Sequence, residues 1–277
     1  MKLSLTITFS ILLFSYTVFS QNGYLFKYNF NPNKTYTQTI DQKENSEITY
    51  MGDSTFNAKL KQNKLKSYES SENIQHIEAF INTDSLLNDS IFKIIIQFTK
   101  TLNNNSSIIS NGTKIFAHCN INKFFPIIDS FSLLSKTKDN DQTLLEIAKS
   151  AIINIDFPKK SLNIGEFFLR TYPIPVSWNN NEQVIISVGT GYKLLSVDKG
   201  IATFEIKQIY KINLGKSKIP ATITGEGKGI LLFDIQENFY TKYELNTKLI
   251  YKVKKDNYTV QTSTTNNLTH QVSISKK

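Results

Sequence analysis

Apolar and polar positions alternate with a period of two along most of this chain, and that spacing predicts strands. In Tyr24-Leu25-Phe26-Lys27-Tyr28-Asn29-Phe30 an aromatic ring falls on every second position, so one face of an extended segment carries all four. Asn31-Pro32-Asn33-Lys34 has turn chemistry, and Thr35–Gln42 reads as the returning strand. Ile91–Thr101 is rich in β-branched residues, with Phe92, Ile94, Ile96 and Phe98 on one side. Asn103-Asn104-Asn105 and Asn111-Gly112 bracket a loop and a hairpin turn before a strand over Lys114–Ile121.

In the second half, strands are predicted over Glu166–Tyr172, Glu182–Val188, Tyr192–Val197, Ile201–Ile212, Ala221–Ile235, Phe239–Val253 and Tyr258–Ile274. Asp198-Lys199-Gly200 is a hairpin turn that sets Ala202, Phe204 and Ile206 inward and Thr203, Glu205 and Lys207 outward. Pro173-Ile174-Pro175 cannot sit in the middle of a sheet, because proline donates no ladder bond; the strand is expected to leave the sheet there.

One segment changes period. From Asp141, a suitable N-cap, Leu144, Leu145, Ala148, Ala151, Ile152 and Ile155 recur at helical spacing until Pro158 stops the run. Asp129–Lys138 is expected to add a short helix or a loop. The short turns imply antiparallel pairing. The expected fold is therefore mainly β (α+β), a large curved antiparallel sheet or half-barrel with one central helix packed on it; a two-sheet β-sandwich is the alternative. A single domain over residues 21–277 is expected, with strand-rich halves 21–128 and 158–277 joined by a helical segment, 129–157. No Gly-, Ser- or Pro-rich linker marks a boundary, and no solenoid repeat is present.

Residues 1–20 have a different pattern: Lys2 forms a short positive region, Leu3–Phe19 an apolar stretch, and Val18-Phe19-Ser20 a signal-peptidase site. The apolar run is short and broken by Thr6, Thr8, Ser10 and Ser15, which favours a cleaved signal over a membrane anchor. Cleavage is expected between Ser20 and Gln21, giving a periplasmic or secreted protein. A lipoprotein would need cysteine where Gln21 stands, so no covalent lipid anchor is expected.

The 32 basic residues exceed the 23 acidic ones, for a net charge of +9, yet Arg170 is the sole arginine. Bidentate recognition of phosphate or guanine favours arginine, and the lysines are scattered among apolar positions, as in Lys59-Leu60-Lys61 and Lys252-Val253-Lys254-Lys255. That distribution argues against both a nucleic-acid and an anionic-membrane role, and no nucleic-acid partner is expected. The joint abundance of Lys, Asn, Ile, Phe and Tyr instead fits the codons of an A/T-rich genome.

Candidate chemistry is sparse. His76, His118 and His270 fall on separate strands without metal-ligand spacing. Cys119 shares an apolar face with Ile115, Ala117 and Ile121, which makes it a core residue and places His118 on the opposite face. No nucleophile elbow occurs. Gly225-Glu226-Gly227-Lys228-Gly229 lacks the spacing of a phosphate loop and continues into a strand, so its glycines mark a bulge, a sharp curve or a wall without side chains. No catalytic residue, metal ligand or cofactor is assigned. Asn33-Lys34-Thr35, Asn111-Gly112-Thr113 and Asn257-Tyr258-Thr259 match N-glycosylation acceptors, and Asp84-Ser85-Leu86 and Asp89-Ser90-Ile91 resemble an O-glycosylation pattern of exported Bacteroidota proteins. Phe167, Phe168, Tyr172 and Trp178 flank the proline bend, where an aromatic concave face can enclose an apolar ligand or simply fill a closed core.

Several segments together resemble an uncharacterised family of exported Bacteroidota proteins. They are the aromatic strand leading to Lys34-Thr35-Tyr36, Pro158 through Ile164-Gly165-Glu166-Phe167, Tyr192-Lys193-Leu194, Gly200-Ile201-Ala202-Thr203-Phe204, and the Gly225–Gly229 strand ending in Asp234. The chain departs from that pattern at His118–Lys123, where the family has an Asp- and Gly-containing turn. The family's layout is similar to that of periplasmic lipoprotein carriers, whose half-barrel holds acyl chains. The resemblance transfers no catalytic residue. With no catalytic motif and a concave aromatic face expected, the chain is read as a non-enzymatic envelope protein that binds a lipid or another apolar small molecule. A structural or adaptor protein contacting an envelope protein through sheet edges is the alternative, and an envelope enzyme the third.

Overall fold

The structure is a computed structural model that describes residues 23–104, 110–123, 126–132, 155–179, 182–213, 220–254 and 257–277; the side chains of 175–184 and 213 fall outside that description. Its strands are β1 (Lys34–Gly52), β2 (Tyr68–Leu86), β3 (Ile91–Asn103), β4 (Lys114–Asn120), β5 (Ile127–Ser132), β6 (Phe167–Asn179), β7 (Glu182–Asp198), β8 (Ile201–Asn213), β9 (Ala221–Asp234), β10 (Phe239–Lys254) and β11 (Tyr258–Lys276). They form one antiparallel sheet in the order β5-β4-β3-β2-β1-β11-β10-β9-β8-β7-β6. The sheet is mainly β architecture, as expected, and is not closed into a barrel: β5 and β6 are its two edges. Two meanders run outward from the middle, where β1 pairs with β11 from Lys34↔Lys276 to Gly52↔Tyr258.

The inner face is where the alternation places it. Phe92, Ile94, Ile96 and Phe98 on β3 are buried, as are Ala202, Phe204 and Ile206 on β8. Each fully buried phenylalanine stabilises by roughly 1.5–3 kcal/mol. The hairpin between β7 and β8 turns through Lys199 (φ 48°) and Gly200 (φ 83°). Two successive left-handed residues match the right-handed twist of the flanking strands, and glycine adopts that geometry without a Cβ penalty.

Several expectations are corrected. Tyr24–Phe30 is not a strand of the sheet; its one β-bridge joins Tyr24 to Leu162. The segment instead lies on the inner face, where Phe26 packs edge-on against Phe204 and Phe233, and Phe30 edge-on against Tyr36 and tilted against Phe239. Phe157 fills the space between Phe26, Phe168, Phe204 and Phe233. Its neighbour Ile155 is buried but not helical, and Asp129–Ser132 belongs to β5 rather than to a helix or loop. The helix predicted from Asp141 lies outside the described residues over 141–154. Glu182–Val188 and Tyr192–Val197 are one strand, β7, continuous through Gly189-Thr190-Gly191.

A short helix, α1 (Ser54–Gln62), was not expected. It has no buried residue, so hydrophobic periodicity could not reveal it. The readable signal is Asp53, whose carboxylate accepts the Phe56 N–H at 2.8 Å as an N-cap.

Candidate ligand-binding face

The inner face of the sheet is almost uncharged. Inward positions alternate down each strand, and the register aligns them in rows. One row runs Asn73 (β2), Glu44 (β1), Asn266 (β11), Thr247 (β10), Gly227 (β9), Gln208 (β8), Thr190 (β7) and Arg170 (β6). It forms a polar belt with one acid and one base near its ends. On one side of it lies the aromatic core just described. On the other lie Val188, Ile223 and Val253, which are also buried but stand apart from that core cluster.

The middle of the belt is an oriented hydrogen-bond chain. The Thr247 hydroxyl donates to Tyr210, Tyr210 Oη donates to Gln208 Oε1 at 2.8 Å, and Gln208 Nε2 donates to Thr190 Oγ1 at 3.0 Å. Gly227 makes this crossing possible: a Cβ there would sit 2.9 Å from Gln208 Cβ and 3.1 Å from Thr247 Cγ2. Nearer the aromatic core, the Tyr192 and Tyr243 hydroxyls share a hydrogen bond across β8 and β9. Burial pushes the pKa of both tyrosines up, so both remain neutral donors or acceptors at ordinary pH. Among the described residues, three buried polar atoms at inward strand positions have no hydrogen-bond partner: Gln38 Nε2, Asn266 Oδ1 and Tyr172 Oη. Each such vacancy costs about 1–3 kcal/mol.

The glycine run is settled among its three readings. Register between β9 and β10 is unbroken from Leu245↔Gly229 to Leu249↔Gly225, so no bulge lies there. A Cβ on Gly229 would collide with the Glu244 carbonyl oxygen, and one on Gly225 would lie 2.7 Å from that of Lys248. The two backbones approach too closely for side chains, as at a sharp curve.

The aromatic set around the prolines is divided rather than gathered. Phe168 is buried, stacked on Tyr192 at 4.9 Å, whereas Phe167 points outward and is 70% exposed. Tyr172 faces inward beside Val188; nothing is described of the Trp178 side chain. Arg170 donates through Nε to the Asp156 carbonyl at 2.6 Å and pairs with its carboxylate at 2.9 Å, 5.4 Å from the Phe168 ring centre. The strand does not leave the sheet at Pro173 and Pro175; β6 runs through both, because it is an edge.

The histidines are dispersed. His76 sits on the outer face between Asp41 (2.6 Å) and Glu78 (2.9 Å), and these hydrogen bonds raise its pKa. His118 faces outward to Asp129 at 2.8 Å. His270 is buried beside Tyr240, Nδ1 to Oη 2.9 Å, and desolvation lowers its pKa to about 3. Cys119 is a free, buried thiol whose pKa burial raises to about 11. Among the described residues no group of His, Cys, Asp and Glu is placed to hold a metal ion. Ser20 and Gln21 lie outside the described residues.

The polar belt escaped the sequence reading, although its signal was present. Gln208 and Tyr210 share the parity of Ala202, Phe204 and Ile206, and Thr190 that of Tyr192 and Leu194, so polar groups at inward positions were visible. The Asn266 and Thr247 positions required the β10–β11 register, which no local pattern supplies. Compared with known proteins, the chain matches no protein-family model and no curated protein.

Proposed function

We propose that this chain is an exported, non-enzymatic envelope protein that holds an apolar or amphipathic ligand, such as a lipid, on the inner face of its open sheet. The observation that carries the reading is the division of that face. An aromatic compartment is filled by the chain's own Phe26, Tyr28, Phe30 and Phe157, and a polar belt, uncharged between Glu44 and Arg170, separates it from a second apolar band. The belt's Asn266 Oδ1 and, in the row beside it, Tyr172 Oη supply an acceptor and a donor for a polar headgroup, while Val188, Ile223 and Val253 supply the apolar floor. The similarity to lipoprotein carriers, whose half-barrel holds acyl chains, supports the reading, and the signal pattern of residues 1–20 supports export.

The test is organic extraction of protein purified from its native envelope, followed by lipid mass spectrometry, with fluorescence titration of the stripped protein by a parinaric acid probe. A stoichiometric lipid, and a probe affinity weakened by Val188→Asp, support the reading. Empty protein that also fails to bind the probe overturns it.

A further inference from the structure

The lysines are sorted by face. On β7 to β10 every lysine within a strand falls at an outward position of the register, away from the belt. Lys207, Lys228 and Lys242 are each tied to a glutamate of their own strand, Glu205, Glu226 and Glu244. Lys193, Lys211, Lys248 and Lys252 are exposed and have no carboxylate partner among the described residues. Between them stand apolar side chains open to solvent: Leu169 and Ile209, each 50% exposed and both lying over Gly189, and Ile230. The other wing differs. On β1 and β2 the outward Asp41, Glu47, Glu72 and Glu78 offset Lys43 and the neighbouring Lys100, and three of these acids are held in ion pairs.

From this asymmetry we propose that the outer face of β6–β10 docks onto an anionic lipid surface. Its excess positive charge complements anionic headgroups, and the exposed isoleucines and leucine are placed to enter the interface beside them. Lysine without arginine suits a diffuse surface potential, because an ammonium is a point charge that needs no bidentate geometry; a docked protein carboxylate would favour the guanidinium fork. The surface is a broad sheet face, not a cleft that would select one small anion. This inference does not rest on the inner-face reading, and either can fail alone.

The test is flotation of the mature protein with vesicles of phosphatidylglycerol and phosphatidylcholine, equimolar or phosphatidylcholine alone. Binding is expected only to the anionic vesicles and to fall steeply between 50 and 300 mM salt. Attraction of about one kcal/mol per lysine is roughly a fivefold change in partition. The variant Lys193→Gln/Lys211→Gln/Lys248→Gln/Lys252→Gln should therefore lose at least about a hundredfold. The control Lys43→Gln/Lys93→Gln/Lys100→Gln/Lys114→Gln, which removes the same charge from the other wing, should lose less than tenfold. Ile209→Ser/Ile230→Ser should weaken binding without changing its salt dependence. Equal losses in both lysine variants would reduce the effect to net charge and overturn the proposal. Absence of binding by the parent protein, or salt-sensitive binding to an acidic protein instead of vesicles, would overturn it as well. All variants lie on the exposed face, and circular dichroism verifies that they fold.

Discussion

His270 and Gly229 show how single positions on the inner face govern stability. The fold holds His270 neutral beside Tyr240, with a pKa near 3 against an ordinary value of about 6.5. Below pH 6.5 the unfolded chain takes up a proton that the folded chain refuses, so stability is intact above that pH and falls as pH drops toward 3. The slope approaches about 1.4 kcal/mol per pH unit. His270→Phe should flatten that acid limb, read as urea midpoints at pH 7, 5.5 and 4; an unchanged slope would mean that other groups set it. His76 works in the opposite sense: its pKa is raised by Asp41 and Glu78, so its contribution is present below pH 6.5 and lost as pH rises through the raised value. Exposure keeps that contribution small. Gly229→Ala would drive a methyl into the Glu244 carbonyl, which belongs to the adjoining backbone and cannot swing aside. A loss of about 1–3 kcal/mol is expected in urea unfolding; a neutral result would show that β9 and β10 can separate locally.

Strand β6 carries a device that only its neighbours make readable. The Glu166 carbonyl accepts from Leu194 of β7, so in the regular register that follows the even residues face β7, and residues 167 to 175 at odd positions turn their backbone groups to the open edge. Pro173 and Pro175 are both odd. They cost the sheet no ladder bond and strip two donors from an edge that could otherwise pair with another chain. Pro173→Thr/Pro175→Thr should keep the thermal midpoint within a few degrees but shift the protein toward dimers and larger species in light scattering. A strictly monomeric variant would refute the blocking role. This element also marks how far the sequence was legible. The prolines signalled a position outside the middle of a sheet, but whether the strand departed or formed an edge depended on what paired beside it. Alternation found β3, β8 and the turn at Lys199-Gly200, because those features are local. The same alternation misread Tyr24–Phe30, since any extended segment laid on an apolar surface buries every second residue, with or without strand partners. Helix α1 escaped for the converse reason: it has no fully buried residue to set a period, and its cap was the readable trace. The belt was legible one residue at a time and became a belt only through register.

At the scale of the molecule, the sheet is arranged about a pair of strands from the two ends of the chain. Strand β11 binds β1 along 19 residues on one side and β10 along 13 on the other, so it joins both meanders. A chain ending at Lys254 should therefore lose the whole sheet rather than one strand, seen as collapse of the far-ultraviolet β signal and of solubility. A truncated chain that retained folded β1–β5 would show that the first meander stands alone. The pairing also imposes a timetable. Made at about 5–20 residues per second, the chain presents β1 to its surroundings for roughly 10–45 s before the last strand exists. Throughout that interval one edge of β1 is a bare row of amide donors and acceptors, which is the condition under which nascent β chains join the wrong partner. Synthesis order and spatial order are at odds here: β1 must wait for β11, and its edge stays unpaired until β11 emerges.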